Sequence, residues 1–122
     1  MKSIAATGPP ERAPDKVWDR PHIYLQLADG SQTKSAMDLK RQLTNAGYVV
    51  VAVDTVSGNV DIPGDASELR YFTPGDSAEA QKIAHEVESF FGTAGIVAYI
   101  PEGMPYVSHA RQYEIWFSSG FR

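Results

Sequence analysis

The chain has 122 residues, a formal net charge of −4 and no cysteine. That length makes one domain with a modest core. The missing cysteine excludes a disulfide framework, a thiolate zinc site and a cysteine nucleophile, and the acidic balance without a basic run argues against nucleic acid as a partner.

Residues 1–20 read as a flexible linker, with Pro9, Pro10, Pro14 and charged residues leading to Pro21. Such a stretch has too little apolar surface to order itself. Val17 and Trp18 are the exception, since a Trp in a linker can pack back onto its domain or meet a partner. The first residues lack the apolar stretch of a signal peptide. No apolar run approaches the roughly 20 residues needed to span a bilayer, so no membrane insertion is expected.

The domain is expected over residues 21–118. His22 to Ala28 alternates Ile23, Leu25 and Leu27 with Tyr24 and Gln26, the period of a half-buried strand. Asp29-Gly30-Ser31 supplies a turn and a helix cap. Ala36, Leu39, Leu43 and Ala46 then recur at helical spacing, and Gly47 stops the helix where a left-handed residue costs least. Tyr48 to Val53 is a continuous β-branched run, which predicts a strand that is central or covered on both faces. Ser57 to Ser67, rich in Gly, Asp, Asn and Pro, reads as an acidic loop.

The pattern then restarts. Leu69-Arg70-Tyr71-Phe72 is strand-like, and Thr73-Pro74-Gly75 turns the chain. Asp76 with Glu79 has the spacing of a capping box. Ala80, Ile83, Ala84, Val87, Phe90 and Phe91 mark a second helix, with Ala80, Ile83 and Val87 in the register of Ala36, Leu39 and Leu43. Gly92 to Gly95 ends it, Ile96 to Ile100 is a further strand, and Pro101 to Pro105 forms a loop. Tyr113 to Phe117 closes the chain as an aromatic-rich strand that docks on the sheet.

Strand–helix–strand therefore occurs twice, over Ile23 to Val53 and Leu69 to Ile100. Two right-handed βαβ units sharing a sheet predict an α/β sandwich, a ferredoxin-like βαββαβ duplication with both helices on one sheet face and an extra C-terminal strand. Tyr24, Gln26, Arg70 and Phe72 fall on the opposite face, open unless the C-terminal segment covers it. With Tyr113 and Trp116 they make the expected partner surface. Alternation sends Tyr71 and Phe72 to opposite faces, one into the core and the other toward a partner or Trp116. The open edges of such a sheet also allow a homodimer by strand pairing.

The sequence assigns no catalytic, metal-ligating or cofactor-binding residue. His85-Glu86 lacks the second histidine of a zinc protease helix, because position 89 is serine. Ser108 and His109 are adjacent in an extended segment and point apart, and His22 stands alone at a strand entrance. Asp54, Asp61, Asp65 and Glu68 do not follow calcium-loop spacing. An enzyme, if there were one, would draw on His85, His109, Glu86 and Asp65.

Ala46-Gly47-Tyr48, Leu69-Arg70-Tyr71-Phe72 and the helix start from Asp76 to Ala84 together resemble the C-terminal domain of LytR-type bacterial cell-envelope proteins, over about residues 22–100. Gln112 to Phe117 resembles the closing strand of such appended domains. A more distant resemblance is to SPOR domains, also built from two βαβ halves, which bind peptidoglycan glycan on a sheet face. These resemblances imply a non-catalytic accessory module, in bacterial cytoplasm or envelope. Its partner would be a protein or host module, with envelope glycan as the alternative.

Overall fold

The computed structural model describes residues 19–56, 62–63, 66–92, 96–100 and 110–121. Residues 1–18, with Val17 and Trp18, therefore lie outside the described residues, as do Asp61, Asp65, Ser108 and His109. The element order is β1 (His22–Leu27), α1 (Thr33–Asn45), β2 (Val49–Thr55), β3 (Glu68–Tyr71), α2 (Ser77–Glu86), the short α3 (Glu88–Phe91), β4 (Ile96–Tyr99) and β5 (Gln112–Trp116). It is the mixed α/β sandwich that the duplication predicts.

One sheet runs in the order β2-β1-β5-β3-β4. β1 pairs in parallel with β2 and with β5, β3 pairs in parallel with β4, and β3 and β5 are antiparallel. Each βαβ unit thus crosses to the adjacent strand, whereas a ferredoxin-like sheet interleaves its halves. The last strand supplies the junction: β5 neither covers the sheet nor extends its edge, but lies at its centre. All of its residues are buried, including the polar Gln112 and Glu114. Its composition suits the place, because Tyr113, Ile115 and Phe117 serve the helix side while Trp116 fills the other.

Right-handed crossovers put both helices on one face. There Ile23, Leu25 and Leu27 of β1 meet Ala36, Leu39 and Leu43 of α1, and Leu69, Ala80, Ile83, Ala84 and Val87 complete the second half. Gln42 ties the helices together by donating from Nε2 to the Glu86 carbonyl at 3.0 Å. Phe90, Phe91, Phe117 and Phe121 form an aromatic group with ring centroids 5.0–6.4 Å apart. Packing therefore continues to Phe121, past the expected domain end at residue 118.

Several local expectations change. β2 is an edge strand and only half-buried, so its valine run reflects strand propensity rather than cover on both faces. Ala46 is exposed, since α1 ends at Asn45 and Gly47 takes φ +100°. The second helix is broken at Val87, and its short continuation stops at Gly92 with φ +77°.

Gln32 is the least expected core residue, a fully buried amide in the turn before α1. Its Oε1 accepts from the main-chain N–H of Ala28 at 2.8 Å and of Asp29 at 3.4 Å. Its Nε2 donates to the carbonyls of Ser118 and Phe121, each at 2.8 Å. Asp29 caps the same turn, accepting from Ser31 N at 2.7 Å and from the Ser31 hydroxyl. One side chain thus fastens the start of α1 to the chain's far end. Gln32→Leu strands these main-chain groups in an apolar site and should cost about 3 kcal/mol in urea unfolding. Gln42→Leu, which loses one part-buried bond, should cost about 1 kcal/mol or less; equal losses would contradict this view of Gln32.

Candidate functional site

Two polar clusters stand out. The first surrounds Arg111, which enters β5 with φ 64°, the positive-φ non-glycine among the described residues. A side chain in that region costs energy that surrounding contacts must offset. Here the Arg111 N–H donates to Asp76 Oδ2 at 2.7 Å, and its carbonyl accepts from His22 N at 3.0 Å. Its guanidinium grips Glu79 in the two-point manner, Nε to Oε1 at 3.0 Å and Nη2 to Oε2 at 2.7 Å. Nη1 also reaches the Asp19 carbonyl at 3.1 Å, and the Tyr113 hydroxyl donates to Glu79 Oε1 at 2.7 Å.

Asp76 and Glu79 are therefore not a local capping box. Asp76 makes no side-chain cap bond to α2; both carboxylates are turned to Arg111 instead. Burial raises the Asp76 carboxyl above its ordinary range, opposed by the Arg111 N–H. The guanidinium lowers Glu79, helped by Tyr113, and burial followed by the bond to Glu79 pushes the Tyr113 hydroxyl far up. This arrangement ties the entrance of β5 to the first turns of α2. Its sequence signal, Asp76-x-x-Glu79, names the carboxylates but not their distant partner.

The second cluster lies on the sheet face opposite the helices, across the antiparallel β3–β5 seam. Arg70 bonds Glu68 Oε1 from Nε at 2.5 Å, and its guanidinium carbon sits 4.1 Å from the centre of the Trp116 ring. Trp116 Nε1 donates to Glu114 Oε1 at 2.8 Å, and Glu114 is the cross-strand partner of Arg70. Glu114 is also the register partner of Tyr24 on β1. A stacked cation of this kind is worth about 0.5–2 kcal/mol, so the ladder stiffens the seam.

The expected partner surface is redistributed. Tyr24, Gln26 and Arg70 are half-buried on the face opposite the helices. Tyr113 is removed from that surface, because alternation in β5 turns it toward α2 and Glu79, where it is fully buried. Phe72 and Trp116 are also buried, at 3% and 9% exposure, outside the helix-side core. Both therefore serve packing on the face where a partner was expected to meet them.

The two described histidines, His22 and His85, do not converge. His22 Nδ1 lies 2.8 Å from the Arg20 carbonyl, while His85, on the exposed side of α2, sits 3.2 Å from Glu88. Among the described residues, no group of three or more His, Asp or Glu side chains could hold a metal ion. A crevice lined by Ser67, Leu69, Ala84, Val87, Phe91 and Ile115 has room for about one water. No described helix is long and apolar enough to cross a membrane.

No family model matches the chain, and no curated protein does. Among solved structures, the solution structure of the C-terminal domain of RV0431 is similar at 16% identity, covering 83% of this chain and 88% of that one with a TM-score of 0.40. That is a distant likeness of chain path.

The Arg111 cluster yields a pH prediction. The folded pKa of Glu79 lies below its ordinary value of 4.5, so its stabilisation is complete above that value and is lost as pH falls through the lowered one. Asp76, raised, acts with the opposite sign. Glu79→Gln should cost about 1–2 kcal/mol at neutral pH. In urea unfolding the gap to the unsubstituted chain should narrow as the pH falls below 4.5 and through the lowered pKa of Glu79; a constant gap would contradict the assignment.

Proposed function

We propose that this chain is a non-catalytic accessory module of a bacterial protein, similar to LytR-type C-terminal domains, that binds a protein or host module. The observation that carries the reading is the division of the sheet. Its helix side is a filled core, while the opposite face keeps Tyr24 and Gln26 partly accessible beside a stiffened seam. Exposed Asp54 lies next to Gln26 in the β1–β2 register and extends that polar, aromatic strip. A rigid strip on a sheet suits recognition, because little side-chain freedom is lost on binding.

Envelope glycan is a second reading, supported by the same strip. An aromatic ring and an amide at successive same-face positions offer a stacking plane and a donor–acceptor pair to a sugar. Co-sedimentation with purified peptidoglycan sacculi separates the two. If glycan is the ligand, the chain pellets with sacculi, and the double substitution Tyr24→Ala with Gln26→Ala weakens pelleting about tenfold, an effect of about 1.4 kcal/mol. Failure to pellet removes the glycan reading and leaves the protein partner. Enzyme-like turnover of an ester, peptide or glycan substrate panel would overturn the accessory-module reading itself.

A further inference from the structure

The sheet has edge strands β2 and β4, of seven and four residues. Val51 of β2 is the residue where the register with β1 slips, Ile23 facing Val50 and Tyr24 facing Ala52. It is 45% exposed. Bulges and charges commonly protect edges, but here the slip turns out a valine, and Asp54 is the strand's one formal charge. Val56 N bonds inward to the Leu27 carbonyl at 3.0 Å. Alternation therefore turns the main-chain groups of Val53 and Thr55 away from β1, to the side where no described strand pairs with β2.

The same side of the molecule carries a second exposed apolar residue. α1 packs over β1 and β2, and Gln42 reaches inward to α2. Met37 lies about 140° around the helix from Gln42, on the flank of α1 turned away from α2. It is 43% exposed. Met37 and Val51, from different elements, are thus exposed apolar residues on the half of the molecule away from α2, beside the outward main-chain groups of β2.

We propose that this wall, the β2 edge with the outer flank of α1, is a dimer interface for a second copy of this chain, joined by antiparallel β2–β2 pairing. This inference is independent of the ligand reading above. A twofold axis normal to the sheet keeps both helix layers on one side, sets the α1 helices next to each other, and uses the same wall twice. A register centred on Ala52 places Asp54 opposite the partner's Val50, not opposite another carboxylate. A seven-residue strand is about 23 Å long. With a wall about 15–20 Å deep, counting sheet and helix, each copy contributes a footprint of about 400 Å². That is below the size of most stable complexes, so the dimer is weak and reversible.

Sedimentation of the chain from about 10 μM to about 500 μM should show the mass rising from monomer toward dimer. Val51→Lys, and separately Met37→Glu, should each weaken association at least about tenfold while leaving the thermal unfolding midpoint of the monomer near that of the parent chain. Met37 stands on the solvent flank of α1, so its variant reports on association even if the strand variant misfolds. A parent chain that stays monomeric throughout, or a dimer that survives both substitutions unchanged, would overturn the proposal.

Discussion

β5 is the strand through which the two βαβ halves meet in the sheet. β1 with β2 stands on one side of it and β3 with β4 on the other. It bonds one half in parallel and the other antiparallel, so the halves face opposite ways along a common sheet. Because β5 follows the other four strands in sequence, the two halves join in one sheet only when it pairs with both β1 and β3. Such non-local pairing makes closure the costly step, since loop entropy must be lost before its contacts form.

The polar clusters serve that same junction from its two ends and its two faces. Arg111 fixes the entrance of β5 to α2 and β1, by Asp76, Glu79 and the His22 N–H. Gln32 fixes the stretch after β5, through Ser118 and Phe121, to the start of α1. On the face opposite the helices, Glu114 and Trp116 engage Arg70 and Glu68 along the β3 seam. The conspicuous charged and aromatic residues are thus largely committed to architecture. The accessible part of that face shifts toward Tyr24, Gln26 and Asp54.

What the sequence reveals follows the range of the interaction. Ile23, Leu25 and Leu27 alternate, and Ala36, Leu39 and Leu43 repeat in Ala80, Ile83 and Val87; those local periods predict the strands, the helices and their shared face. Gly47 and Gly92 mark helix ends because left-handed backbone is a local property. The central place of β5 is hidden, since Gln112 and Glu114 give it the look of a half-exposed strand. Asp76 and Glu79 imitate a local cap, while their partner Arg111 lies 35 and 32 residues away. For Gln32, the Asp29-x-x-Gln32 spacing carries the capping half of its role, and its reach across 86 residues to Ser118 leaves no local trace.

The central claim is that β5 is the spine of the sheet, and native-state hydrogen exchange tests it most directly. Backbone amides open with free energies that reach the global value in the core and fall toward zero at edges. The N–H groups of Tyr113, Ile115 and Phe117 should exchange only through global unfolding, with those of β1 beside them, while amides of β2 and β4 exchange faster. Rapid exchange along β5, at or above the rate of β2, would contradict the account.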